Sequence, residues 1–387
     1  MNKTLFNSPP EFKSVLSGKN STLSDGICRA TRFPFDSMNS SFLESEDAAI
    51  SANRTFTYLM VAPESRGTQT WKNVLILTHG LNEGSYTKLF LWAYNLAHQL
   101  NYPVLIFPIS FHMDRRSDLW DYPAQAQLVN IRNRVSGNLR VSPFNARISQ
   151  RIAQAPQRFL RGGLQSYFDV LDLCDVISSG RHPKFESATT PHFLGYSAGG
   201  YLALTLLLSR SDKMHSLSRY ILFASCVKPD DMRPSSLFIM DEEAGSKLTT
   251  FLKSEDFGAI GLPAGMADKA ERPIHWIRHI LSGGLCLRQR LEESGTRCLA
   301  LAGSNDQVLT AAGMEANLAP LPVHRLELGI HEFPFTIDEA LPDTFDRRHP
   351  STRAMLTRMR ESRNIALPYQ AVFTEFIERV VAFCDGT

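Results

Sequence analysis

The sequence predicts a doubly wound α/β fold with a mostly parallel central sheet. Short, mainly apolar runs occur at 74–78, 104–107, 220–224, 297–303 and 323–328. Such runs are typical of strands that are buried on both faces of a parallel sheet. Between and after them, helical periodicity appears at 86–100, 164–178 and 369–383. Strands that alternate with helices at this spacing indicate crossover connections, and therefore a parallel sheet.

Two long segments interrupt this rhythm, at 111–163 and 226–296. We interpret both as insertions into one domain that spans residues 71–387. Residues 1–70 form an N-terminal extension: 1 to about 50 are polar and weakly periodic, whereas 55–61 alternate enough to predict an edge strand. The sequence shows no internal repeat.

Composition narrows the class of protein. The chain has 387 residues and a formal net charge of only +2, so bulk charge favours neither nucleic acid nor a membrane surface as partner. It has no apolar run of about 18 residues and no apolar leader near its start, so we expect no integral membrane segment and no secretory signal. The cysteines form no C-x-x-C pair, which predicts reduced core residues in a cytoplasmic protein; they are Cys28, Cys174, Cys226, Cys286, Cys298 and Cys384.

The motif G-x-S-x-G lies at residues 195–199, with Ser197 at its centre. An apolar run precedes it and a helix that is apolar on every face follows it, so this helix must be covered on all sides. Strand, tight turn and buried helix is the setting in which such a serine is lifted out of the top of a sheet. Ser197 is therefore a candidate nucleophile rather than an incidental turn residue.

A serine hydroxyl needs a histidine to take its proton and a carboxylate to orient that histidine. Asp306 follows the predicted strand at 297–303, and His331 follows the predicted strand at 323–328. Both positions lie just past strand ends, where a parallel sheet places its functional loops. The chain order is Ser197, Asp306, His331.

With this order, the chain resembles the α/β-hydrolase superfamily, whose triad runs serine, acid, histidine along the chain. The resemblance covers 73–110, 164–224 and 297 to the C-terminal helix, and the H-G pair at 79–80 is similar to esterase and lipase members. It implies that Ser197 attacks a carbonyl, that His331 is the general base and then the general acid, and that Asp306 holds the imidazole. It also implies that the two insertions form a lid or cap.

The oxyanion formed in such a reaction needs preorganised donors. One is expected to be the backbone N–H of Ala198, because free amides and the helix dipole favour negative charge at a helix start. The second is expected in the loop after His79, from Leu81 or, failing that, Asn82. The segment reads H-G-L-N rather than H-G-G-G, which leaves the choice between these two amides open.

Other residues compete for these roles. Asp230 and Asp231 follow the strand at 220–224, but we prefer Asp306 as the acid because it directly follows the next strand. We interpret His79 as a structural residue that shapes the oxyanion loop. His112 lies just past a strand end and could line the pocket, although a hydrogen-bonded loop histidine is the simpler interpretation.

The first insertion is unusually rich in arginine. Between residues 122 and 168 there is no Asp, Glu or Lys, and there are seven arginines: Arg132, Arg134, Arg140, Arg147, Arg151, Arg158 and Arg161. They could form a cap that binds an anionic substrate. We favour the alternative that they form a solvated face whose acidic partners lie elsewhere in the chain.

No cofactor and no metal ion are expected. His275 and His279 are four residues apart on a probable helix and could share a metal, but no glutamate stands beside the first histidine and no third ligand is evident in the sequence. The glycine pairs at 162–163 and 283–284 lack the further spacing of a phosphate loop, so we interpret them as turns.

These observations predict a serine hydrolase that cleaves a carboxylic ester or thioester through an acyl-enzyme. The expected partner is a small acyl substrate. An acyltransferase would use the same acyl-enzyme with a different second nucleophile. The alternative from another functional class is a non-catalytic binding protein on this fold. A protein that only binds has no need for serine, aspartate and histidine at the three loop positions, so their presence argues against this alternative.

Overall fold

The computed structural model describes residues 9–64, 70–116, 122–209, 215–254, 257, 260–263, 265–328 and 369–386. Within these ranges, no helix is long and apolar enough to span a bilayer.

The described residues contain nine strands: β1 (Thr22–Ser24), β2 (Cys28–Asp36), β3 (Thr55–Pro63), β4 (Trp71–Thr78), β5 (Val104–Ile106), β6 (Phe185–Tyr196), β7 (Tyr220–Phe223), β8 (Cys298–Gly303) and β9 (Val323–Leu326). They form one sheet in the order β1-β2-β3-β5-β4-β6-β7-β8-β9. From β5 onward all neighbours are parallel, whereas β1, β2 and β3 pair antiparallel and β3 joins β5 antiparallel. The carboxyl ends of the six parallel strands therefore meet at one edge.

The longer helices are α1 (Thr87–Leu100), α2 (Tyr122–Asn133), α3 (Ala146–Gln154), α4 (Gln157–Ser178), α5 (Ala198–Ser209), α6 (Glu242–Lys253), α7 (Met266–Ser282), α8 (Leu285–Ser294), α9 (Ala311–Leu318) and α10 (Tyr369–Asp385). Single-turn helices lie at Lys13–Leu16, Ser45–Ala48 and Ser51–Arg54. Helices flank the mostly parallel sheet, and this confirms the predicted α/β fold.

The predicted core elements are present, with ends that shift by a few residues. α4 begins at Gln157 rather than at the predicted 164, and β6 begins at Phe185, which pairs with Trp71 of β4 before a shift in register. The terminal helix α10 packs on the sheet as expected. Its Phe376 ring lies 5.2 Å from that of Trp92 in α1 and 4.9 Å from that of Phe223 in β7, centroid to centroid.

The N-terminal extension contributes more than the edge strand predicted at 55–61. Cys28–Asp36 is a nine-residue strand that pairs along its full length with β3, so β3 is an interior strand and β1 is the edge. Part of the segment that the sequence showed only as polar and weakly periodic is therefore a strand of the central sheet. One face of this antiparallel part of the sheet is only partly covered, so β2 can carry charged residues. These residues obscure the strand pattern in the sequence.

Both insertions are helical. The first contains α2 and α3, and the second contains α6, α7 and α8. They pack on each other through α3 and α6, and the second also rests on α5 through α7. Because α5 begins next to Ser197, both insertions lie close to the carboxyl edge of the sheet.

Candidate active site

Ser197 occupies a strained turn between β6 and α5. Its φ is +52°, a left-handed conformation that is uncommon for a residue with a side chain. The two motif glycines permit this turn sterically. A Cβ at Gly195 would lie 2.2 Å from the carbonyl oxygen of Gly199, and a Cβ at Gly199 would lie 2.5 Å from that of Thr78. Strand, strained serine and buried helix together form the sharp strand-to-helix elbow that the motif predicts.

Backbone hydrogen bonds hold this turn against the neighbouring strand ends. The N–H of Ser197 donates to the carbonyl of Phe223 at 2.9 Å, and the N–H of Gly199 donates to that of His79 at 3.0 Å. Ser225 Oγ donates to the Ser197 carbonyl at 2.6 Å. The elbow is therefore tied to the loop that follows β4 on one side and to the segment that follows β7 on the other.

His79 is a structural residue of the loop after β4. It is fully buried, its Nδ1 lies 2.8 Å from the Gly80 carbonyl, and its Nε2 accepts the N–H of Ile109 at 3.0 Å. Nδ1 therefore carries the proton. Burial lowers the pKa of His79 to about 3, so the ring stays neutral and links two loops at the sheet edge.

The three predicted oxyanion donors lie in segments that this network brings together. Among the residues that the structure describes, none accepts a hydrogen bond from the backbone N–H of Leu81, Asn82 or Ala198. Ala198 begins α5, and Leu81 and Asn82 form the turn after Gly80. A Cβ at Gly80 would lie 3.1 Å from Cβ of Ser197, so the loop approaches the serine closely.

Asp306 has the anchoring expected of an orienting carboxylate. Its Oδ1 accepts the backbone N–H groups of Val308 at 2.8 Å and Leu309 at 2.9 Å. Its negative charge contributes, after burial and Glu83, to a raised pKa of Tyr196, the residue before the serine. Asp306 is thus held near the elbow, at the carboxyl end of β8.

The rival carboxylates are placed differently. Asp230 is exposed and forms an ion pair with Lys253, and Asp231 is half-buried in a short 3₁₀ helix beside α9. Neither shares the paired backbone donors of Asp306 within the described part of the chain. His331, the predicted base, lies outside the described residues, and its role stays a prediction from the sequence.

A cavity of about 190 Å³ opens at Ser197 and Ala198. Most of its lining is apolar and comes from both insertions, including Ile148 and Ile152 of α3, Leu248 of α6 and Ile277 of α7. Leu81 and Asn82 also line it. The candidate nucleophile and the residues that carry the candidate oxyanion donors therefore line one largely apolar cavity.

His112 also lines this cavity, as the sequence suggested it could. Its Nδ1 lies 2.8 Å from the Ser110 carbonyl, so this nitrogen carries a proton and the ring is hydrogen-bonded within its loop. Burial, and then the neighbouring His79, hold the pKa of His112 well below its ordinary value. The ring is therefore neutral and presents no positive charge to the cavity.

Most of the arginines in the first insertion have acidic partners elsewhere in the chain, as we favoured. Arg132 pairs with Asp241 and Glu243, Arg140 with Glu242, Arg151 with Asp47, and Arg158 with Glu44 and Glu46. The face is not solvated as expected, because several of these guanidinium groups are buried between the insertion and its neighbours. Arg147, Arg151 and Arg158 line the cavity, and burial with neighbouring Arg116 and Arg151 lowers the pKa of Arg147 to about 9.

Residues 6–359 match the model of a family described as "Family of unknown function (DUF6051)". The chain belongs to this family. A search of curated proteins gave no match.

Solved structures with a similar arrangement include esterases and serine hydrolases. Esterase Est22 is 13% identical, with a TM-score of 0.46, over 98% of this chain and 90% of its own. Fluorophosphonate-binding serine hydrolase F of Staphylococcus aureus is 11% identical, with a TM-score of 0.37, over 77% and 89%. Carboxyl esterase 2 of the fungus Tuber melanosporum is 14% identical, with a TM-score of 0.38, over 84% and 81%.

Sequence reasoning missed several supporting residues of this DUF6051 chain. Glu83 and Lys88 form a buried ion pair next to the loop that follows β4, and the Lys88 ammonium lies 4.7 Å from the ring centroid of Tyr196. Asn82 Nδ2 donates to two carbonyls of the second insertion. No periodic pattern predicts these contacts, and those of Lys88 with Tyr196 and of Asn82 with the second insertion join segments that are far apart in the chain.

Proposed function

We propose that this protein is a serine hydrolase that cleaves carboxylic esters or thioesters through an acyl-enzyme. The observation that carries the proposal is Ser197 at φ +52° on a strand–helix elbow, open to an apolar cavity and next to backbone N–H groups that have no partner within the described residues. A pure binding site needs neither a strained serine nor free amides around it.

In the proposed reaction, Ser197 Oγ attacks the carbonyl carbon and its proton passes to His331. The amides of Ala198 and of Leu81 or Asn82 stabilise the oxyanion. The bond from carbonyl carbon to oxygen or sulfur then breaks, and His331 returns the proton to the leaving group. Water then attacks the acyl-enzyme while His331 takes its proton. His331 returns this proton to Ser197 Oγ as the acid leaves, which restores the serine.

Asp306 is proposed to orient His331 and to stabilise its cationic form. Two backbone donors to Oδ1 fix the orientation of the carboxylate, which a residue that holds an imidazole requires. The two helical insertions are proposed to act as a lid over the acyl group, because both contribute apolar side chains to the cavity. Their lining favours an apolar acyl or alcohol group over a polar one.

The proposal is tested by intact-mass detection of fluorophosphonate labelling. We expect one adduct on the wild type and none on Ser197→Ala or His331→Ala. Ser110→Ala, at another serine that lines the cavity, is the matched control and should still be labelled.

The same variants are then assayed on esters and thioesters of increasing acyl length. Turnover should fall by about 10⁴-fold or more in Ser197→Ala, because the acyl-enzyme cannot form. Folded wild-type protein that takes no label and turns over no ester would overturn the proposal, and would favour a binding protein on this fold.

A further inference from the structure

We propose that His275, His279 and Cys286 form a binding site for one Zn²⁺ or a similar borderline divalent ion. We call these three residues the His–Cys cluster. Their potential ligand atoms all lie within 4.8 Å of one another. The cluster belongs to α7 and α8 of the second insertion, and none of its members lines the cavity at Ser197.

The local fold explains why the three side chains meet. His275 and His279 are one helical turn apart on α7, with ring centroids 4.5 Å apart. Gly283 and Gly284 follow at φ +70° and +97°, which residues with a Cβ rarely adopt. These two glycines turn the chain from α7 into α8, so Cys286 reaches the histidine pair. The sequence alone indicated no third ligand, and this turn supplies it.

The donor set suits a borderline metal ion. Zn²⁺ binds imidazole nitrogen at about 2.0–2.1 Å and thiolate sulfur at about 2.3 Å in a tetrahedron. In that geometry, ligand atoms are separated by about 3.3–3.7 Å, so the cluster would close by about 1 Å. His275 is exposed, and His279 and Cys286 are half-buried, so side-chain rotation can provide this movement. Three protein ligands leave the fourth position to water.

The surrounding charges permit metal binding but limit its strength. The guanidinium of Arg278 lies close enough to His279 to interact with it electrostatically. Trp276 lies between the two histidines in the sequence, and the guanidinium of Arg290 lies 5.4 Å from its ring centroid. These cations oppose a divalent ion, whereas the Cys286 thiolate attracts it. We therefore expect a weaker site than a buried four-ligand zinc centre.

Occupancy of the cluster would join α7 to α8. On other faces, α7 contributes Ile277 and Leu281 to the cavity lining and packs on α5. An ion at the His–Cys cluster would therefore stabilise one wall of the cavity without touching it. This inference does not depend on the proposed hydrolase activity.

The test uses the full chain without a histidine tag, stripped of metal with a chelator and titrated with Co²⁺. A near-ultraviolet thiolate-to-cobalt charge-transfer band should appear at one ion per chain. Trp276 fluorescence should be quenched, because its ring lies 5.1 Å from His275 and 5.8 Å from His279. Zn²⁺ should displace Co²⁺ and abolish the band.

Variants separate this site from others. Cys286→Ser should remove the charge-transfer band, and His275→Ala or His279→Ala should weaken Co²⁺ binding by about tenfold or more. His98→Ala, on α1 and outside the cluster, is the control and should bind as the wild type does. Binding that survives all three cluster variants, or no binding at all, would overturn the proposal.

A thiol reagent gives an independent measurement. Cys286 is half-buried, whereas the other five cysteines are buried, so it should react first in the folded protein. Bound Zn²⁺ should slow this reaction by about tenfold or more, since a metal-bound thiolate is less available for attack. Equal rates with and without Zn²⁺ would contradict ligation by Cys286.

Discussion

Asn82 Nδ2 donates a hydrogen bond of 2.7 Å to the carbonyl oxygen of Phe238. A second bond of 2.5 Å reaches the carbonyl of Ile239, which lines the cavity. One side chain thus joins the proposed oxyanion loop to the second insertion. Asn82 has φ +63°, a conformation that asparagine tolerates better than most residues. Asparagine therefore fits both the backbone conformation and the two side-chain hydrogen bonds at this position.

Replacing Asn82 should lower kcat, because the loop that carries the proposed oxyanion donors would no longer be held in position. Asn82→Gly removes the two side-chain bonds but keeps a residue suited to positive φ, and we expect kcat to fall by about tenfold or more, since small displacements in a catalytic site are costly. Asn82→Ala should lose as much kcat and, in addition, about 1 kcal/mol of stability from its strained φ. Full kcat in Asn82→Gly would show that the link has no role in catalysis.

Asp306→Asn tests the choice of acid. The amide Oδ1 can still accept the N–H groups of Val308 and Leu309, so the loop should keep its shape. We expect kcat to fall by about 10³- to 10⁴-fold, because a neutral amide no longer stabilises the imidazolium. Asp230→Asn is the control, and its kcat should stay within twofold of the wild type. The reverse ranking would move the acid to the loop after β7.

The buried ion pair between the two insertions should contribute strongly to stability. Arg132 donates to both carboxylate oxygens of Asp241 at 2.7 Å, and their side chains are 4% and 0% exposed. Arg132→Met leaves the Asp241 carboxylate buried without its guanidinium partner, so the free energy of unfolding should fall by about 3–5 kcal/mol. Arg140→Met, whose partner Glu242 is more exposed, should change it by less than about 1 kcal/mol. Urea unfolding of both variants measures the difference.

Buried neutral histidines should make the fold sensitive to acid. Burial lowers the pKa of both His182 and His192 to about 4, from an ordinary value of 6.5. The unfolded chain therefore binds these protons first, and the free energy of unfolding falls as the pH drops below about 6.5, down to about 4. Each group contributes about 3 kcal/mol to this loss.

His192→Asn isolates one of these contributions. His192 Nδ1 accepts the N–H of Arg219 at 3.2 Å, and the asparagine Oδ1 can replace that acceptor without titrating. Urea unfolding between pH 7 and 5 should show a smaller pH dependence in the variant than in the wild type. Parallel curves would mean that His192 does not stay neutral in the folded protein.

Much of this protein could be predicted from the order of residues along the chain. The strands β4 to β9, the elbow at Ser197 and the loop position of Asp306 all follow from local patterns, because continuous apolar runs, glycine at strained turns and polar residues after strands each have a direct physical cause. These patterns were sufficient for the fold and for the proposed nucleophile.

Tertiary structure decided the rest. The pairing of Cys28–Asp36 with β3, the bonds from Asn82 to the second insertion and the approach of Cys286 to His279 involve partners that no local pattern links. The same holds for Arg132, whose sequence suggests a solvated face while its carboxylate partner lies in another insertion. The sequence determines the chemical groups of each residue, whereas the burial of a residue and its partners are determined only when distant segments pack together.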